Sequence, residues 1–308
     1  MRRVQGGLQQ GYDRCATTMS QDRLDSTLDI DLMTASDIVR VIQEEDARVA
    51  VSVAAERQHI AQAIEQIADR MRHGGRLFYA GAGTSGRIAM LDATELPPTY
   101  GIDPASVQVL MAGGPRAFSS AAEGAEDDEQ AAIDTVNASV RADDAVVGIA
   151  ASGTTPYTVA AVRRANMLGS LTVAVTSVPA SPLAREVDIA IVTETGPEVI
   201  MGSSRMKSGT AQKLVLNTLS TGVMIRLGRV HSNLMIDMPA TNEKLRRRAL
   251  RMVELASGAS REVAFRAMQG AAGNVRQATV MAALGVSAEV ARQMLDESRG
   301  DLRSLLKR

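Results

Sequence analysis

The residues of this chain best suited to chemistry are hydroxyls set among glycines. Gly81-Ala82-Gly83-Thr84-Ser85-Gly86-Arg87 follows the short apolar run Arg76–Ala80. Glycines let the backbone turn tightly and approach a ligand, while free amides and the dipole at a helix start favour an anion. The spacing also fits G-x-G-x-x-G, the dinucleotide fingerprint. A nicotinamide site wants an acidic residue at the end of the next strand to hold the ribose, and here that strand ends Met111-Ala112-Gly113-Gly114. The nucleotide P-loop needs Lys after its last glycine, where this chain has Arg87. Ser85 as a plain helix cap is the simpler alternative. Three glycines with two hydroxyls favour phosphate.

A second loop repeats the chemistry. Ala151-Ser152-Gly153-Thr154-Thr155-Pro156 places three hydroxyls around a glycine, with a proline suited to a first helical turn. Two such loops at the carboxyl ends of neighbouring strands lie where open α/β sheets bind ligands. The phosphate-binding set is therefore Thr84, Ser85, Ser152, Thr154 and Thr155, with Gly83 and Gly153 allowing close backbone approach. A third cluster, Gly202–Thr210, offers Arg205 and Lys207 as positive charge, or simply as surface residues at a helix start.

Composition excludes several other chemistries. Lys and Arg total 34, Asp and Glu total 35, and the net charge is -1. That balance argues against a wholesale nucleic-acid binder. Cys15 is alone, so it makes no intrachain disulfide or Cys-rich zinc cluster. His59, His73 and His231 are far apart, and His231 is more simply structural than catalytic. No apolar run is long enough to span a bilayer, and none follows Met1-Arg2-Arg3 as a signal peptide would require. A cytoplasmic location is expected. With no Trp, four Tyr and three Phe, recognition should run through polar groups rather than aromatic platforms.

The loops must be positioned by a βα rhythm. Helical spacing over 35–72, in one or two pieces, precedes strands at 76–80, 107–111, 145–150, 171–176 and 189–192. Helices are expected from Ile88, over about 117–138, near 157–168, and over 204–227 and 241–257. Pro97-Pro98 should end the first of these near Glu95. Strands this apolar suit a parallel sheet covered by helices and joined by right-handed crossovers. The fold class is α/β, a three-layer parallel-sheet domain with flanking helices and a small all-helical C-terminal unit. The expected division is a flexible leader and arm over 1–34, a binding and catalytic domain over 35–250, and a helical domain over 251–308.

The three loop stretches together resemble the sugar isomerase (SIS) phosphosugar-binding domain. Longer strings resemble the N-acetylmuramic acid 6-phosphate etherase family: LFYAGAGTSGRIAMLDATELPPTYG, AEGAEDDE, GIAASGTTPYTVAA and the run from TGPEVIMGSSRMKSGTAQKLVLN to ATNEKL. The likeness is close over about 28–250 and loose in the helical tail. It implies a cytoplasmic homodimer of cell-wall sugar recycling that acts on a small phosphosugar, without metal or other cofactor. The family releases N-acetylglucosamine 6-phosphate and D-lactate. Its two glutamates fall here on Glu95, as proton donor, and Glu126, as base.

Composition by itself reads the run around Glu126 as a solvated helix face, and Glu123 is the rival base. Which loop takes the phosphate and which the lactyl carboxylate stays open. The family's opening TE-x-RNP-like segment is replaced by Gln21-Asp22-Arg23-Leu24-Asp25, which retains only the arginine. A noncatalytic phosphosugar sensor and an aldose–ketose isomerase are the competing functions.

Overall fold

The computed structural model describes residues 22–120, 122 and 124–306. Most of the expected leader lies outside them; from Asp22 the chain forms 3-10 turns at Asp25–Thr27 and Ile30–Leu32. The chain divides into two compact units. One runs to Asp92 and resumes over Val107–Leu219; the other comprises Ala93–Ser106 and the chain from Ser220.

The first unit contains α1 (Ala35–Asp46), α2 (Val49–Ala55), α3 (Arg57–Arg72), β1 (Leu77–Gly81) and the start of α4 (Gly83–Tyr100). It continues with β2 (Val107–Met111), α5 (Glu129–Ser139), β3 (Ala145–Ile149), α6 (Pro156–Met167), β4 (Leu171–Thr176), α7 (Pro182–Arg185), β5 (Ile189–Val192) and most of α8 (Lys207–Arg226). The five strands form one parallel sheet in the order β2-β1-β3-β4-β5. Every residue of β1, β3 and β4 is buried, as expected for strands covered on both faces. Asp144 pins the sheet's amino edge: its carboxylate accepts from the Arg76 backbone and guanidinium and from the Arg141 amide at 2.7–3.2 Å.

Three local expectations need correction. The span 35–72 forms three helices. The span 117–138 is not one helix: Gly113, Gly114 and Gly124 adopt positive φ, 3-10 turns occupy Gly114–Phe118 and Ala125–Asp127, and α5 starts only at Glu129. Its start is set by Asp128, whose carboxylate caps the Ala131 amide at 2.9 Å. Lastly, α4 does not stop near Glu95 but carries Pro97 and Pro98 in its last turn. Neither proline can donate to the carbonyls of Ala93 and Thr94, yet their φ is helical and burial of Leu96 and Tyr100 holds the turn together. Gly101, at φ +60, ends the helix where a Cβ would strike the Asp237 carbonyl.

The second unit adds α9 (Glu243–Ser257), α10 (Arg261–Gly270), α11 (Val275–Leu284), α12 (Ala288–Glu297) and α13 (Leu302–Leu305). Asn242, Ser260, Asn274 and Ser287 cap helix starts, and Gly258 and Gly285 end helices in the left-handed conformation. Its core gathers Ile236, Val253, Ala264, Val275, Val280 and Leu302. Arg276 clasps Asp237 at 2.6 and 2.7 Å and donates to the Gly228 and Gly300 carbonyls. Among the described residues no helix is long and apolar enough to cross a membrane.

Candidate functional site

β1 and β3 are neighbours in register, with Gly81 opposite Ile149, so the two hydroxyl loops leave the same edge of the sheet. The first loop is shorter than its sequence suggests, because Gly83–Gly86 already form the first turn of α4. The Gly86 amide bonds to the Ala82 carbonyl at 3.2 Å. The amides of Thr84 and Ser85 are among those a helix start leaves without intrahelical partners. Both side chains are half-buried, and neither hydroxyl bonds to a described residue. Ser85 therefore sits inside the helix rather than capping it.

The glycines serve different ends. Gly83 is exposed and takes φ +52 with open space where a Cβ would stand, so it supplies conformation. Gly86 instead makes room: a Cβ there would collide with Met111 Sδ and stand 3.0 Å from the Gly81 carbonyl. Gly153 is buried at φ +65 against Ser181 and Thr176, so its missing side chain is filled by protein. Ser152 and Thr154 bond to each other through their hydroxyls at 2.8 Å, and Ser152 Oγ accepts from the Thr154 amide at 3.2 Å. Thr155 precedes α6 without using its side chain as a cap.

Glu126 lies on the 3-10 turn Ala125–Asp127. Together with Gly83, Arg87, Met111, Ala117 and Gly124 it lines a cavity of about 260 Å³ built wholly from the first unit. This cavity brings the anion-favouring start of α4 and one of the two glutamates to the same place. Arg87 is the group that sequence reasoning passed over. Its guanidinium donates to the Ser120 carbonyl at 3.0 Å, tying α4 to the segment that leads into the Glu126 turn. The only signal was its position directly after the glycine loop. Glu123 lies outside the described residues. Glu95 is exposed on α4, in the segment that belongs to the second unit.

In the third cluster Arg205 is exposed, while Lys207 and Ser208 are committed to structure. Lys207 is buried, and its Nζ meets Glu45 at 2.6 Å. The buried Glu198 carboxylate accepts from the Lys207 and Ser208 amides at 2.9 and 3.0 Å, so the start of α8 already holds a carboxylate of the chain itself. Gly209 nonetheless sets α8 beside the first turn of α4, with Thr84 and Ile88 within 4 Å of where a Cβ would stand.

The chain matches the SIS domain over residues 120–221 and the glucokinase regulatory protein N-terminal SIS domain over 59–166. A phosphoheptose isomerase from Francisella tularensis aligns at 20% identity and a TM-score of 0.48, over 63% of this chain and 100% of that one. An N-acetylmuramic acid 6-phosphate etherase of Symbiobacterium thermophilum is 56% identical over 268 residues, 87% of this chain and 89% of the relative. One of Salmonella agona is 46% identical over 291 residues, 94% of this chain and 98% of the relative. At this identity over nearly the whole chain, the protein belongs to the N-acetylmuramic acid 6-phosphate etherase family.

Proposed function

We propose that the chain cleaves the D-lactyl ether of N-acetylmuramic acid 6-phosphate with net addition of water, giving N-acetylglucosamine 6-phosphate and D-lactate. The observation that carries the reading is the cavity in which Glu126 faces the first turn of α4. Thr84, Ser85, Ser152, Thr154 and Thr155, with the backbone at Gly83 and Gly153, supply hydroxyls and amides for a phosphate dianion without a basic patch.

An ether at a sugar C3 has a poor leaving group for direct attack by water. In the open-chain sugar the C1 aldehyde acidifies the C2 proton. Glu126 takes that proton, the C2–C3 double bond forms as the C3–O bond breaks, and Glu95 gives its proton to the departing lactate oxygen. Water then adds at C3, and C2 regains a proton. The step needs one carboxyl ionised and the other protonated at the same moment.

C2 and the C3 oxygen are neighbours, so acid and base must both stand within hydrogen-bonding reach of one small region. Glu126 belongs to the first unit and Glu95 to the second. A second copy of the chain supplies the acid in this reading, which makes the protein a homodimer with composite sites. We place the enzyme in the cytoplasm, with residues 35–250 as the catalytic domain and 251–308 as a helical domain.

The test is enzymatic detection of D-lactate from N-acetylmuramic acid 6-phosphate, with Glu95→Gln, Glu126→Gln and Glu123→Gln in parallel. Lactate from the parent and from the third variant alone supports the reading. Folded parent protein that binds substrate and releases none favours the second reading, a phosphosugar sensor, which the match to a regulatory protein's SIS domain suggests.

A further inference from the structure

We propose that the second unit carries an anion-binding site of its own, for a small phosphorylated molecule, in the cavity between the end of α8, the His231 turn and the α12–α13 connection. The cavity measures about 420 Å³, within the usual range for small-ligand sites. Four arginines are among the residues that line it, Arg226, Arg276, Arg299 and Arg303, together with His231 and a single acidic residue, Asp301. It shares no residue with the cavity at Gly83 and Glu126.

The cations divide into two kinds. Arg276 belongs to the framework, fixed by Asp237 and two carbonyls. Arg299 and Arg303 are exposed, and neither guanidinium hydrogen-bonds or ion-pairs with any described residue. Asp301 spends one carboxylate oxygen on the Arg303 amide at 2.9 Å. Arg299 and Arg303 thus bring two guanidiniums without a hydrogen-bonded counter-charge to a concavity lined by one carboxylate, an arrangement an incoming anion would relieve.

Two further observations point the same way. Arg299 at φ 52 and Ser232 at φ 55 hold the left-handed conformation, although both carry a Cβ. Such backbone persists only where its surroundings impose it, and it concentrates at functional positions. Each residue lines this cavity. The His231 imidazole is held below its ordinary pKa by burial first, and then by Arg303, with Arg276 adding to the effect and Asp301 opposing it. Guanidinium forks match phosphate oxygens two at a time, while Ile225, Leu227 and Ile236 give the walls apolar surface for the body of an ester.

The experiment titrates the full-length protein with inorganic phosphate, pyrophosphate and glucose 6-phosphate at fixed ionic strength, following the His231 ring protons by NMR and the heat of binding. Saturable binding below about 10 mM is expected, with the His231 ring titrating at higher pH once the anion is bound. Arg299→Gln and Arg303→Gln should each weaken that binding about tenfold or more while D-lactate release persists, which also reports that the fold is intact. The response of the His231 signal should survive Glu126→Gln, so failure of the catalytic reading leaves this test unaffected. An unmoved His231 signal, equal binding by the two arginine variants, or the same response to sodium chloride would overturn the site. Comparison of phosphate with glucose 6-phosphate tells a bare anion from an ester.

Discussion

Arg87 and Ser120, 33 residues apart, are joined by a guanidinium-to-carbonyl hydrogen bond of 3.0 Å, and through it the start of α4 holds the segment that delivers Glu126. A base must be placed to within a fraction of an ångström of the proton it removes. Arg87→Met should therefore lower kcat for lactate release by about 10- to 100-fold at similar thermal stability. Arg87→Lys keeps the charge but not the fork, and should recover only part of the loss. Parent-like kcat in Arg87→Met would separate this contact from catalysis.

If acid and base come from two copies, Glu95→Gln and Glu126→Gln are complementary defects. Each variant alone should be inactive. After mixing and subunit exchange, half of the dimers are hybrids, and each hybrid has one site with both glutamates intact. Activity should return to about one quarter of the parent's. A mixture that stays inactive after exchange is demonstrated would put both glutamates in one chain.

The sheet was legible because its strands are short, apolar on both faces and set at regular intervals; Leu171–Thr176 and Ile189–Val192 read directly from the sequence. Pro97 and Pro98 misled, because a rule about lost hydrogen bonds does not see the burial of Leu96 and Tyr100 that carries the helix through them. The turn at Glu126 was hidden by an alanine- and acid-rich composition that reads as helix. What breaks it is backbone conformation at Gly113, Gly114 and Gly124. Lys207 looked like a free cation since its partner, Glu45, lies 162 positions away, beyond any local pattern.

That buried pair gives a stability test. Lys207 and Glu45 are both buried, with their charged groups 2.6 Å apart. Removing Glu45 strands the Lys207 ammonium, which typically costs about 3–5 kcal/mol, whereas Glu45 keeps Arg48 at 3.3 Å when Lys207 is removed. Glu45→Leu should lower the urea midpoint by an amount of that order and Lys207→Met by less, while the double variant should recover most of the Glu45→Leu loss. Additive losses in the double variant would show that the two side chains act independently.

Gly86 offers a test of what the glycine signature is for. Its missing Cβ is room for Met111 Sδ and the Gly81 carbonyl. Gly86→Ala should destabilise by about 1–3 kcal/mol through overpacking. Adding Met111→Ala should return part of that, with the clash against the backbone remaining. Stability unchanged in Gly86→Ala, measured by urea unfolding, would return the residue to a purely ligand-related role.

His231 sets a pH dependence whose sign follows from its surroundings. Burial, Arg303 and Arg276 hold its folded-state pKa below the ordinary 6.5, with Asp301 pulling the other way. Above that value both states are neutral and the group contributes no slope. As pH falls below about 6.5 the unfolded chain takes up the proton first, so stability drops until the folded-state pKa is passed, and then levels off. His231→Gln should remove this component from urea midpoints measured between pH 8 and pH 5, about the window of histidine titration. Saturating pyrophosphate should remove it in the parent as well, because a bound anion raises the folded-state pKa toward or above its unfolded value. A parent protein whose midpoint falls as steeply with pyrophosphate as without it would show that no anion sits beside this ring.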